Sequence, residues 1–209
     1  FMHNIILTKH ITANNVYTPN GTPVTAYSLV SGDYSSNKKR ELKNYWLNRY
    51  NNRITYLGEA TKKYNCHTYA WHLSEEEEGM DKLPGDDIYW NDYSYAQVSN
   101  QLQATKVSFA SDDHSAITSG TTDVFISKWG PSPLFRHSKN DCPYDVTNLH
   151  YYAPVTISGP TLICSSGASF TVNNLPTGAT IVWSQGPNLT RTSAQGAIHV
   201  LSPPPAQAA

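Results

Sequence analysis

Charge is scarce in this chain and cysteine scarcer. Only 15% of its 209 residues are Asp, Glu, Lys or Arg, the formal net charge is −1, and no dense Lys/Arg stripe occurs. That balance argues against nucleic acid as the main partner. Three cysteines are too few for a disulfide framework, and an odd number leaves at least one free thiol. No apolar run reaches the ~18–20 residues that a membrane helix needs, so no membrane insertion is expected. The opening residues FMHNIILTKH lack the basic n-region and small-residue cleavage site of a signal peptide.

Core-forming residues are plentiful. Hydrophobic residues make up 39% of the chain, enough for one large or two small domains. Fourteen tyrosines, with abundant Asn, Ser and Thr, give the polar but weakly charged character common in exported proteins.

Asn20-Gly21 is a strong turn signal between two β-leaning stretches. Ser36 is placed to cap a helix running to about Tyr50, with Leu42, Tyr45, Trp46 and Tyr50 on one face as core. Glu75–Glu78 reads as a solvated acidic loop. Residues 94–103 suit a short helix. Thr105–Ala110, His114–Thr118 and Val124–Trp129 are β-like runs separated by polar turns, which predicts an antiparallel meander. PSPLFRHSKNDCPYD, punctuated by proline, reads as loop, and Tyr151–Pro154 as a boundary. Beyond it, alternating stretches at Ser169–Val172 and Thr180–Trp183 between Asn, Pro and Gly turns predict a small β-sandwich.

The stretch TKKYNCHTYAWHLS carries the chemistry. Asn65 suits an N-cap and puts Cys66 in the first turn of a helix, with Cys66, Tyr69, Ala70 and Leu73 on one face. A helix start stabilises a thiolate through its unpaired N–H groups and dipole. The base must come from elsewhere in the sequence. His114 is the candidate, at the start of a β-run and beside the small residues Ser115 and Ala116. His67 points about 100° around the helix from Cys66, which disfavours direct pairing and suggests a surface or supporting role.

YNCHTYA resembles the nucleophile helix of papain-like cysteine hydrolases of the NlpC/P60 and CHAP type, and DHSAI resembles their histidine strand. Ser127-Lys128-Trp129-Gly130 is similar to the Asn-Ser-Trp-Gly of papain on the following strand. The resemblance covers about Thr61–Gly130. It implies catalysis by Cys66 and His114, with Ser127 at the position of the residue that orients the imidazole, and needs no cofactor. A serine can accept that hydrogen bond but holds a ring less firmly than a carboxylate or amide. Asp112, Asp113 and His137 are alternatives. The glutamine usual before the nucleophile is absent, which leaves the Cys66 N–H as one oxyanion donor and the second unassigned. The implied substrates are amide or peptide bonds in cell-wall peptides (peptidoglycan) or proteins, cut outside the bacterial cell.

ISGPTLICSS…FTVNNLPTGATIVWS resembles immunoglobulin-like modules appended to bacterial surface and secreted proteins. The expected fold class is α+β: residues 1–153 form a papain-like domain with its helices on one side of an antiparallel sheet carrying His114. Residues 154–209 form an all-β module, shorter than the ~100 residues such a sandwich needs and so expected to be incomplete, with a flexible tail at 201–209. The expected location is secreted or cell-surface.

Three rival readings stand beside this one. A zinc site is disfavoured, because Cys66, His67 and His72 do not converge on one helical face and no CxxC or HxxxH completes a set. Cys66 as an inert buried thiol fits the apolar face but not the polar helix start. A non-catalytic extracellular binding or adhesion module would have a degenerate Cys–His pair. Cys142 and Cys164 suit packing or a disulfide with each other.

Overall fold

The structure is a computed structural model that describes residues 11–29, 32–75, 81–162, 167–184, 190–191 and 198–202. Most of the acidic loop, Cys164 and residues 203–209 lie outside them. The chain divides into two compact units, Phe1–Ala153 and Pro154–Ala209.

The first unit is α+β. Strands β1 (Ile11–Tyr17) and β2 (Pro23–Leu29) form the hairpin signalled by Asn20-Gly21. Gly21 takes φ 82 in the turn, a left-handed conformation that favours glycine. Helix α1 (Ser36–Arg49) follows, capped by Ser35 and not Ser36, and Tyr50 ends it. Then come β3 (Thr55–Gly58), α2 (Cys66–Trp71) and the short helix α3 (Ile88–Asn91). The remaining strands are β4 (Tyr95–Val98), β5 (Lys106–Phe109), β6 (His114–Thr118), β7 (Val124–Lys128), β8 (Leu134–Ser138) and β9 (Leu149–Pro154). One seven-stranded sheet in the order β3-β8-β7-β6-β5-β9-β4 holds all but the hairpin.

The predicted meander is present as β5, β6 and β7, paired antiparallel. Two local expectations are corrected. Residues 95–98 are strand, because pairing with β9 and the burial of Tyr95 and Ala96 outweigh local helix preference. Leu134–Ser138 is strand and not loop: its flanking prolines lie outside the ladder, and it pairs with both β7 and β3. The boundary expected at Tyr151–Pro154 coincides with the division between the two units, at the end of β9, which pairs with β5 through Lys106↔Tyr152.

The helices do not share one side of the sheet. Side chains alternate along a strand, so Ser115 and His114 face opposite ways. Trp71 of α2 bonds Ser115, whereas Trp46 and Tyr50 of α1 pack edge-on against Trp129 with Phe135 beneath. Ser127, Trp129 and His137 lie on that α1 face. Only part of the expected α1 stripe packs, and Tyr45 is 53% exposed. On the α2 face, Trp71 centres an aromatic cluster with Tyr89, Tyr95 and Tyr152, against which Val24 and Ala26 of the hairpin pack.

The second unit contains β10 (Thr156–Ser158), β11 (Ala168–Asn173), β12 (Thr190–Arg191) and β13 (Ile198–Ser202), joined in one antiparallel sheet of order β10-β11-β13-β12. Its described residues form this single sheet. Thr180–Trp183 is not strand, and Val182 is 79% exposed. Leu201 and Ser202, expected in the tail, pair within β13.

Candidate active site

Asn65 shapes the start of α2. Its Oδ1 accepts the Thr68 N–H at 3.0 Å and the Thr68 hydroxyl at 2.7 Å, while its Nδ2 donates to the Leu83 carbonyl at 2.8 Å. Cys66 therefore stands in the first turn, as the N-cap signal predicts. Helix α2 packs on β5, β6 and β7. The thiol is buried, and that burial pushes it up to about 11; the Asp113 and Asp86 carboxylates add to the rise. The backbone N–H groups of Ser115 and His67 pull the other way. At neutral pH Cys66 is a protonated thiol.

His114 is fully buried. Its ring lies face to face with Tyr144, 3.4 Å between centroids and 10° from parallel, with Phe109 edge-on at 4.7 Å. Neither ring nitrogen has a hydrogen-bond partner among the described residues. Burial holds the imidazole well below its ordinary value, reinforced by His137 and His67, so it is neutral. Tyr144 is pushed upward by burial and then by Cys66, which places the thiol within electrostatic reach of the ring that covers His114. The imidazole itself makes no hydrogen bond to the thiol.

Ser127 does not orient His114. Its hydroxyl donates to His137 Nε2 at 2.8 Å and accepts from Trp129 Nε1–H at 3.0 Å. His137 Nδ1–H donates to the Ser138 carbonyl at 2.9 Å, which fixes the tautomer. Burial brings His137 down to about 4. The reason is register: Ser127 pairs with Phe135, so His137 is its diagonal neighbour on the same face. Of the other candidate orienters, Asp112 accepts the Asp145 N–H and Asp113 is bound to His67.

His67 is buried and not a surface residue, and it belongs to a network that the sequence did not reveal. Its Nε2–H donates to Asp113 at 2.9 Å, and its Nδ1 meets Ser115 Oγ at 2.8 Å. Ser115 Oγ also accepts from Trp71 Nε1–H at 2.9 Å and lies 2.5 Å from Asp86. A hydroxyl has one proton and two lone pairs. With Trp71 using one lone pair, Ser115 donates to Asp86 or to His67 and accepts from the other, so these two share one proton through the serine. Burial raises Asp86, although its bond from Ser115 works against the rise. The signal available beforehand was alternation: Ser115, not His114, faces the helix.

A cavity of about 540 Å³ opens beside this network, between Pro23–Thr25 of the hairpin and Pro84–Ile88, with Asp86 and Asp113 in its wall. Cys142 is a free thiol, its Sγ near the Lys139 and Tyr144 carbonyls, and Cys164, its suggested partner, lies outside the described residues. Among the described residues no group of three or more His, Cys, Asp or Glu side chains is placed to hold a metal, and no helix is long and apolar enough to cross a membrane. Compared with protein-family models, curated proteins and solved structures, the chain matches none.

Proposed function

We propose that the chain is a cysteine-dependent amide or peptide hydrolase of the papain-like NlpC/P60 or CHAP type, acting outside the cell on cell-wall peptides or proteins. One observation carries this reading: Cys66 opens α2, and the N–H of Ser115, next to His114 on β6, is turned toward its sulfur. His114 would take the Cys66 proton, and the thiolate would attack the amide carbonyl. His114 would then protonate the leaving amine, and water would release the thioester. The resting thiol and imidazole are both neutral and His114 faces away from α2, so the step requires Tyr144 to leave the ring and the imidazole to turn toward Cys66 when substrate enters. Ser127 has no part in it. The second unit would serve as the immunoglobulin-like module that holds the enzyme at its target.

A second reading is favoured by the closed state of His114: a non-catalytic binding protein whose Cys–His pair is inert. Incubation with peptidoglycan fragments and unfolded proteins, followed by mass spectrometry, separates the two. Cleavage that disappears in Cys66→Ser, with a thioester trapped on Cys66, is the outcome expected of the hydrolase. Binding without cleavage would leave the second reading.

A further inference from the structure

We propose that His67 is the positioning residue that sets where His114 stands relative to Cys66; the inference rests on the Cys–His chemistry proposed above. His67 follows Cys66 in the first turn of α2 and is buried. Its two ring nitrogens reach the two neighbours of His114. Nε2–H donates to Asp113 at 2.9 Å, and Nδ1 meets Ser115 Oγ at 2.8 Å. Asp113 and Ser115 are two residues apart at the start of β6, so their side chains point the same way and one imidazole takes both. His114 is thereby held on either flank by the residue next to the thiol.

The rest of the turn around Cys66 is tied elsewhere. Asn65 donates to the Leu83 carbonyl at 2.8 Å, and Thr68 Oγ1 accepts the Leu83 N–H at 3.0 Å, which fixes α2 to the segment before α3. Trp71, at the far end of α2, bonds Ser115 alone on β6. His67 adds the bond to the residue before His114. For the proposed proton transfer the His114 ring has to turn toward Cys66. A turning side chain arrives at the same place each time only if its backbone is held, and a misplacement of ~1 Å can cost about a hundredfold in rate.

Asp113 makes this role separable from stability. Its side chain is 86% exposed, so the pair adds little to folding, and water can replace the carboxylate on Nε2–H. Its negative charge also raises the Cys66 thiol. Loss of the charge alone would therefore speed the reactions of Cys66, whereas loss of the clamp would slow them.

The test is iodoacetamide alkylation of Cys66 at pH 7 in the full chain carrying Tyr144→Ala, which uncovers His114; Tyr144→Leu serves as the background if Tyr144→Ala does not fold. Adding Asp113→Ala is expected to slow the reaction roughly tenfold. Asp113→Asn keeps an oxygen to accept from His67 and should be no more than about threefold slower than the background. The urea midpoint should move by less than about 0.5 M in either variant. The other results overturn the proposal. Asp113→Ala as fast as its background, where His114→Ala is slow, removes the clamp and keeps the Cys–His reading. Asp113→Asn as slow as Asp113→Ala makes the charge, and not the bond, the cause. A midpoint shift well beyond that limit makes the bond a stability contact. His114→Ala as fast as its background removes the Cys–His reading and the clamp with it.

Discussion

Tyr144 lies flat on His114, with centroids 3.4 Å apart, and both nitrogens of the covered imidazole are without partners among the described residues. A general base in this position is shut off from any substrate. The segment carrying Tyr144 is tethered by Arg53, whose Nη2 and Nε reach Asp141 at 2.7 and 2.9 Å, and by Ser138. Opening therefore breaks polar bonds and a ring stack together. Tyr144→Ala is expected to destabilise the chain by about 3 kcal/mol in urea unfolding and to speed Cys66 alkylation in the folded protein.

His114→Phe has the opposite balance. A buried polar group without partners costs on the order of 1 kcal/mol or more, and phenylalanine keeps the contacts with Phe109 and Tyr144. Unfolding in urea should show His114→Phe at least as stable as the parent, while any hydrolysis is lost. A marked loss of stability would mean that the imidazole nitrogens are bonded in solution.

Acid should weaken the fold through two histidines. His114 and His137 are both held below the ordinary histidine value by burial, His137 at about 4. Below pH ~6.5 the unfolded chain binds protons that the folded chain refuses, so stability rises with pH there. The contribution is complete above pH ~6.5 and is lost on acidification toward pH 4, at roughly 1 kcal/mol per pH unit for each histidine. Unfolding curves between pH 7 and 4 should show this slope, and His114→Phe should reduce it by about half.

Ser115 hydrogen-bonds three side chains, Trp71, His67 and Asp86. Ser115→Ala would leave Trp71 Nε1–H, His67 Nδ1 and Asp86 each short of a partner. The expected cost is on the order of 3 kcal/mol or more. Asn65→Ala removes a cap and the bond to the Leu83 carbonyl, at about 1–2 kcal/mol. Thermal unfolding of both variants checks the order: Ser115→Ala should melt below Asn65→Ala.

Local signals in the sequence carried much of this architecture. Asn20-Gly21 located the hairpin, Asn65 the start of α2, and the polar turns around His114–Thr118 the meander. Failures came where tertiary pairing overrode local chemistry. Leu134–Ser138 looks like loop between prolines, yet β7 and β3 supply its ladder. Ser127 was assigned to His114 by its place before Trp129-Gly130, but its true partner, His137, is set by the register of a strand that had not been recognised. The His67–Ser115–Asp86 chain joins residues 29 and 48 positions apart, and no spacing rule announces it.

The central claim is that Cys66 and His114 act as one unit. It is tested most directly by the rate of iodoacetamide alkylation at Cys66 against pH, in the parent chain, Tyr144→Ala and His114→Ala/Tyr144→Ala, with sites mapped by mass spectrometry. The expected result is a slow thiol in the parent, in keeping with its value of about 11. In Tyr144→Ala it should react well below the ~8.5 of a free cysteine, and removing His114 should abolish that gain. A Cys66 equally slow in all three folded proteins would contradict the claim and make it a structural thiol.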